Sequence, residues 1–216
     1  MKWFKQLVLG ASIIFIWMAG FTPSVTAGPD SYRNYGQIRA GVFDFCGDLD
    51  DDDYDRNGII AVSYGRNLTP YLVAEATVEM FSAEKDADGL TERGHYDRED
   101  QIDVFTVLGT LKAQWPVGPV TIFAGGGAGY YSVTLDSEID PEYRDDRAEQ
   151  EWDGVFGLHA VTGVNVDIWK RFFAGFEGMY RWTDDVDINE SIAGIPVRLE
   201  GDLTGYALTL TAGFRF

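Results

Sequence analysis

The stretch YALTLTAGFRF, residues 206–216, alternates between two kinds of side chain. Apolar side chains occupy the even positions, Tyr206, Leu208, Leu210, Ala212, Phe214 and Phe216. Small or polar residues occupy the odd positions, Ala207, Thr209, Thr211, Gly213 and Arg215. Successive side chains of a β-strand point to opposite faces, so a period of two separates an apolar face from a polar one. The stretch predicts a strand with one face against an apolar surrounding.

The same alternation recurs upstream of this stretch. Phe156 and Leu158 oppose Gly157 and His159, for example. Each such run has at least the 9–11 residues that a tilted membrane-crossing strand needs, and beyond the first 27 residues no 18-residue apolar run competes with them. The predicted strands are 34–45, 57–67, 70–82, 101–115, 119–134, 154–168, 171–183 and 204–216.

The connections between these strands alternate in length. Short turns are predicted at 67–70, 116–119 and 168–171, and long loops at 46–56, 83–100, 135–153 and 183–203. Short turns on the periplasmic side and long external loops are typical of outer-membrane barrels. The predicted fold is therefore all-β: an eight-stranded antiparallel up-and-down transmembrane β-barrel.

Charge follows the same division. The chain has 35 acidic and 17 basic residues, a net charge of -18. Of the acids, 28 lie in 46–57, 83–100, 135–153 and 183–204, together with only seven basic residues. Because such a polyanion repels nucleic acid, we expect no nucleic-acid partner.

The N-terminus predicts a cleavable signal peptide. A basic start, MKWFK, precedes an uncharged apolar run from Leu7 to Phe21, and Val25-Thr26-Ala27 supplies small residues before a cut after Ala27. A spanning helix needs about 20 apolar residues, and Pro23 ends this run early. The predicted domains are the signal peptide, 1–27, and the barrel, 28–216, whose net charge is -20 once Lys2 and Lys5 are removed. The lone Cys46 excludes an internal disulfide.

Seven charged residues fall on the inward face of the predicted strands. An eight-stranded barrel is just wide enough for side chains to fill, whereas a charge facing lipid at mid-depth costs about 2–4 kcal/mol. We therefore expect a lumenal charge network, in which Glu75 pairs with Lys112 or Arg39. A narrow pore for small solutes or ions is the alternative. The seven residues are Arg39, Glu75, Glu79, Lys112, Glu177, Arg181 and Arg215.

A calcium half-motif precedes the second predicted strand. Asp53, Asp55 and Asn57 supply oxygen ligands at positions one, three and five of a calcium loop, with Gly58 at position six. The twelfth position should be a bidentate glutamate, but it is Tyr64. We expect no cofactor beyond loosely held Ca²⁺ or Mg²⁺ at the acidic loops, where such ions could bridge to lipopolysaccharide phosphates.

Two further patterns do not predict chemistry. The run 125–129, GGGAG, lacks the helix that a phosphate-binding loop requires, so these glycines are interpreted as permitting tight curvature or making room for bulky lumenal neighbours. Neither His95 nor His159 stands in a His-x-Ser pair, and His159 is expected inside the barrel in a structural role.

Four segments carry a resemblance to the OmpA-like and OmpW-like small outer-membrane barrels. They are TAGFRF, NLTPYLVAEATVEMF, GPVTIFAGGGAGYYSV and RFFAGFEGMYRW. The resemblance implies a bacterial outer-membrane location, with membrane lipid, lipopolysaccharide and the insertion machinery as partners. It also implies that Phe216 belongs to the insertion signal. No peptidoglycan-binding domain is expected after Phe216.

The function expected from these features is non-enzymatic: envelope integrity or adhesion. A narrow pore is one alternative, and a lipid A-modifying enzyme on the same scaffold is another. A soluble lipocalin-like barrel would invert the two faces, and its Gly-x-Trp motif is missing. A surface ligand could bind the loops through Tyr54, Tyr96, Tyr143 or Trp152.

Overall fold

The computed structural model describes residues 33–46, 57–91, 94–140, 146–147, 151–192 and 195–216. The chain divides into Met1–Tyr32 and Arg33–Phe216, and the described residues all belong to the second unit. The predicted signal peptide, 1–27, lies outside the described residues. In the described ranges no helix is long and apolar enough to cross a membrane.

Eleven strands form within these ranges. Eight of them, β1, β2, β3, β4, β5, β7, β8 and β11, pair in that order, and β1 also pairs with β11. Every pairing is antiparallel and the sheet closes on itself, which confirms the predicted eight-stranded barrel. The strands are β1 (Asn34–Phe45), β2 (Asn57–Thr69), β3 (Leu72–Thr91), β4 (Gly94–Val117), β5 (Val120–Asp140), β6 (Asp146–Arg147), β7 (Glu151–Trp169), β8 (Phe172–Thr183), β9 (Asp185–Ile192), β10 (Ile195–Asp202) and β11 (Gly205–Arg215).

One end of the barrel carries three tight turns, at 70–71, 118–119 and 170–171. The last two lie inside the ranges predicted for short turns, and the first overlaps its range at Pro70 and ends one residue later. Gly118 has φ of 63° and Lys170 has φ of 28°. Glycine takes such a left-handed conformation without steric cost, whereas other residues do so rarely. We call this end of the barrel the short-turn end.

The predicted faces are confirmed by burial. In β11, Leu210 is 71% exposed whereas the neighbouring Thr209 is 6% exposed. The outward face of the barrel is apolar, and the inward face carries the polar and charged side chains. This arrangement suits lipid outside and a filled interior, and it is the reverse of a lipocalin-like barrel.

The prediction of irregular loops at 83–100 and 183–203 is wrong. β3 and β4 stay paired as far as Thr91 and Gly94, and β9 and β10 form a separate two-stranded sheet. In the predicted loop 135–153, β5 continues to Asp140 and β7 begins at Glu151. Continued pairing satisfies backbone N–H and C=O groups beyond the membrane. A strand outside the membrane does not need alternating apolar side chains, so the absence of alternation in these segments did not indicate the absence of a strand.

Aromatic side chains gather at both ends of the outward face. At the short-turn end Tyr71, Trp115, Trp169, Phe172 and Phe216 are exposed. At the opposite end the exposed rings are Tyr130, Phe156, Tyr180, Trp182 and Tyr206. Such girdles mark the two membrane–water interfaces of a spanning barrel.

Candidate functional site: the filled lumen

Four charged side chains from four strands meet in the half of the lumen nearer the short-turn end. We call Arg39, Glu75, Lys112 and Glu177 the lower network. Lys112 Nζ lies 2.8 Å from Glu75 Oε1 and 2.7 Å from Glu177 Oε2, and Arg39 pairs with Glu177. The two cations balance the two carboxylates, so the network is neutral as a whole.

Polar neighbours complete the lower network. The Tyr35 hydroxyl donates to Glu75 at 2.5 Å, and the Gln37 amide donates to the same carboxylate at 3.2 Å. Arg39 Nη2 donates to Thr77 Oγ1 at 3.1 Å. A buried ion pair is tolerated only when additional hydrogen bonds satisfy its remaining donors and acceptors. These neighbours meet most of that requirement, although Arg39 Nε has no hydrogen-bond partner among the described residues.

A second ion pair, the upper pair, lies farther from the short-turn end. Arg181 donates to Glu79 at 2.7 Å, and both side chains are almost completely buried. The guanidinium carbon of Arg181 lies 4.5 Å from the centroid of the Phe43 ring and 5.1 Å from that of Phe81. Aromatic faces attract a cation electrostatically. Two nitrogens of the same guanidinium, Nε and Nη1, have no hydrogen-bond partner among the described residues.

Beyond the upper pair, apolar side chains close the lumen at the end opposite the turns. We call this group the apolar plug. Ile102, Val133 and Leu203 have no measurable exposure, as is usual for side chains in a closely packed interior. The plug consists of Phe43, Phe45, Ile59, Phe81, Ile102, Val104, Val133, Val155 and Leu203.

Glycines provide room for the larger lumenal rings. A Cβ at Gly163 would overlap the Phe123 ring, and a Cβ at Gly213 would overlap the Phe173 ring. In the run 125–129, a Cβ at Gly125 or Gly127 would instead meet backbone of the neighbouring strand β4. Within this run, Gly129, which faces Leu108 and Tyr131, makes room for bulky side chains, whereas Gly125 and Gly127 allow the strand to approach the backbone of β4 closely.

His159 is buried inside the barrel, as expected. Its Nε2 lies 2.8 Å from Thr110 Oγ1, and both residues face the lumen rather than lipid. A lipid substrate would have to enter the filled interior to reach them. The contact is therefore suited to a structural role, since it links β4 and β7 across the lumenal face of β5.

The remaining predicted site residues lie apart from the lower network. Arg215 pairs with Asp167 near the short-turn end, where its side chain is partly exposed. Phe216 is exposed, and its backbone exchanges hydrogen bonds of 2.8 and 3.0 Å with Asn34. Its role in insertion stays a prediction.

The calcium half-motif is described only in part. Asp53 and Asp55 lie outside the described residues, as does the loop aromatic Tyr54, and Asn57 begins β2 opposite Phe43. Among the described side chains, no three His, Cys, Asp or Glu residues cluster to hold a metal ion. Loose binding of Ca²⁺ or Mg²⁺ at the acidic segments stays a prediction.

The apolar plug is the feature that sequence reasoning missed. Its residues lie on the inward face, where polar side chains were expected. The signal was present in the strands themselves: Phe43 and Phe45 in β1, and Ile102 and Val104 in β4, are apolar at alternate positions of the inward register. Both pairs lie at the ends of the strands next to the long connections.

The chain is similar to known proteins in sequence and in fold. Residues 13–216 match the family described as "Outer membrane protein beta-barrel domain". The fold is similar to that of the outer membrane protein OprG from Pseudomonas aeruginosa, with a TM-score of 0.61 and 15% identity over 86% of this chain and 97% of that one. A major outer membrane protein from Thermus thermophilus has a TM-score of 0.51 and 14% identity, over 85% of this chain and 99% of that one.

The Neisserial surface protein A is also similar, with a TM-score of 0.50 and 12% identity over 85% of this chain and 97% of that one. No curated protein matches the chain by sequence. The closed antiparallel barrel, its apolar outward face and its two aromatic girdles agree with the family match. The chain therefore belongs to the outer-membrane β-barrel proteins, and its location is the bacterial outer membrane.

Proposed function

We propose that the barrel is a sealed, non-catalytic scaffold that presents its acidic hairpins at the cell surface, in envelope integrity or adhesion. The filled lumen is the observation that carries this proposal. Two levels of ion pairs and the apolar plug occupy the interior in succession, and Arg181 has no exposed surface. A solute could pass only if several of these contacts separated together.

The hairpins support the second half of the proposal. A rigid scaffold that carries extended surface segments is a common arrangement for recognition. β3 pairs with β2 as far as Phe81, which lies opposite Ile59. Beyond Phe81, β3 and β4 continue as a paired hairpin. The acids concentrate in these segments, which favours partners that carry positive charge or divalent ions.

Single-channel recording in planar lipid bilayers tests the seal. The refolded chain is expected to stay electrically silent after heat-modifiable gel migration confirms a folded barrel. A variant with Phe43→Ala and Phe81→Ala empties part of the apolar plug but keeps both levels of ion pairs, and it should therefore stay silent as well. Steady conductance from the parent chain would contradict the sealed scaffold and support a narrow pore.

Mass spectrometry of lipid A tests the absence of catalysis. Cells that express the chain should have the same lipid A acylation pattern as cells that carry an empty vector. A gain or loss of an acyl chain that depends on expression would instead support a lipid A-modifying enzyme.

A further inference from the structure

Basic side chains collect at the short-turn end of the barrel. The acidic Asp167, which lies near one of the turns, pairs with Arg215. The acids otherwise concentrate in the long connections at the opposite end. The molecule is therefore polarised across the membrane. The basic residues of the short-turn end are Arg33, Arg66, Lys170, Arg171 and Arg215.

A continuous ribbon of aromatic rings runs beside these charges on the outward face. Trp169 and Phe172 stack with centroids 6.2 Å apart, and Phe172 and Phe214 lie 5.1 Å apart. Phe216 then lies 6.3 Å from Phe214 and 6.3 Å from Tyr64. We call these five rings the aromatic ribbon. Aromatic rings at this depth lie at the level of lipid headgroups.

The ribbon has basic residues at both ends and an open surface between Phe214 and Tyr64. Lys170 and Arg171 form the turn between Trp169 and Phe172, and Arg66 follows Tyr64 on the same face of β2. Gly36 pairs with both Phe214 and Tyr64, and a Cβ placed on it would meet nothing within 4 Å. An acyl chain could lie against this open surface while its headgroup reaches the basic residues.

Lys170 occupies a backbone conformation that favours glycine. Its φ is 28°, whereas the corresponding turn between β4 and β5 has Gly118 with φ of 63°. An unfavourable backbone conformation at a surface turn is a reason to look for a role of the side chain. The charge of Lys170 is the property that glycine would lack.

We propose that the short-turn end binds the phosphate groups of anionic phospholipids in the periplasmic leaflet, through Lys170, Arg171 and Arg66 beside the aromatic ribbon. Short turns face the periplasm in outer-membrane barrels, so the headgroups at this depth belong to that leaflet. Each basic residue near an anionic surface adds about 1 kcal/mol of attraction, a factor of about fivefold in binding. The basic residues thereby select anionic over zwitterionic lipid around this rim.

Fluorescence quenching by brominated lipid tests the proposal. The chain from Gly28 onward contains Trp115, Trp152, Trp169 and Trp182. Replacing all but Trp169 by phenylalanine leaves a reporter on the ribbon, and replacing all but Trp182 leaves a matched reporter at the opposite girdle. Vesicles of phosphatidylcholine with increasing brominated phosphatidylglycerol then give the relative binding constant of the anionic lipid at each end.

Trp169 should report a preference for phosphatidylglycerol of about fivefold or more, reduced by 0.5 M salt, and Trp182 should report none. The double variant K170G/R171Q should lower the relative binding constant at Trp169 by about fivefold or more, leaving the contribution of Arg66, whereas K170R/R171K should retain the full constant. K170G alone should unfold at the same or a higher urea concentration than the parent, because glycine suits the turn. If K170G/R171Q fails to fold, K170N/R171Q replaces it, since asparagine tolerates the left-handed conformation.

Three results would overturn the proposal. The first is a relative binding constant for phosphatidylglycerol near one at Trp169 in the parent. The second is a constant at Trp169 that K170G/R171Q leaves unchanged. The third is a preference for phosphatidylglycerol at Trp182 equal to that at Trp169. The last would show that the anionic lipid responds to the barrel as a whole rather than to this rim.

Discussion

The two charged levels of the lumen satisfy their charges in different ways. In the lower network each carboxylate contacts several donors: Glu75 accepts from Lys112, Tyr35 and Gln37. In the upper pair Glu79 contacts Arg181, and aromatic rings surround the guanidinium. Burying an ion costs several kcal/mol unless its partners replace water. A network that shares its partners therefore tolerates the loss of one member better than an isolated pair does.

The largest effect is expected when the upper pair is broken. Glu79→Ala leaves Arg181 fully buried without its carboxylate, and should lower the free energy of unfolding by about 3–5 kcal/mol. Urea unfolding in lipid vesicles, followed by tryptophan fluorescence, measures the change. The double variant E79M/R181M removes both charges and should recover most of the loss. A single variant as stable as the parent would show that Arg181 does not depend on Glu79.

A smaller effect is expected at the centre of the lower network. Glu177→Gln keeps the shape of the side chain but removes the carboxylate that contacts both Arg39 and Lys112. Lys112 keeps Glu75 and Arg39 keeps Thr77. The expected loss is about 2–3 kcal/mol, in the range of hydrogen bonds to charged groups. A loss equal to that of Glu79→Ala would remove the distinction between the two levels.

Glu75→Gln should cost still less, about 1–2 kcal/mol. The amide oxygen can still accept from Tyr35 or Gln37, and Lys112 retains Glu177. Thermal melting in detergent and urea unfolding in vesicles both measure this change. A double-mutant cycle with Lys112→Gln isolates the coupling between the two side chains. Unchanged stability in the single variant would reject the network hypothesis.

The apolar plug should respond only to lost packing. Ile102→Val removes one methylene from a fully buried side chain, and should cost about 0.5–1.5 kcal/mol without making the barrel conduct. Ile122→Val on the lipid-facing surface, where the side chain is half exposed, is the matched control. Similar losses at both positions would show that the plug is not more tightly packed than the surface.

Local sequence was sufficient for the strands and their faces because both depend on a period of two. The alternation in 206–216 predicted which residues of β11 face lipid, and burial agrees with it at each position from Tyr206 to Ala212. The same reasoning placed Arg39, Glu75, Glu79, Lys112, Glu177 and Arg181 inside. The same reasoning overestimated the length of the long loops. Outside the membrane the strands continue, but no side of them faces lipid, so their side chains need not alternate between apolar and polar.

The local sequence pattern did not predict which charged side chains form ion pairs inside the lumen. Depth along the strands suggested Glu75 with Lys112 or Arg39. The structure pairs Glu75 with Lys112, whereas Arg39 pairs with Glu177, 138 residues away. Which inward residues meet depends on the stagger between neighbouring strands and on how the sheet closes. Arg215 illustrates this dependence, because its strand position places it with Asp167 near the turns rather than in the network.

The sequence by itself determined a membrane barrel of eight strands, the side of each strand that faces lipid, and the segregation of acids into the long connections. These follow from side-chain alternation and from the cost of placing charge against lipid, which act residue by residue. Closure of the barrel decided the pairing of Arg39 with Glu177, the aromatic surroundings of Arg181, the meeting of apolar inward side chains from several strands in the apolar plug, and the aromatic ribbon beside Lys170. Each of these joins strands that are distant in sequence, and their contacts exist only once the register of the closed sheet is set.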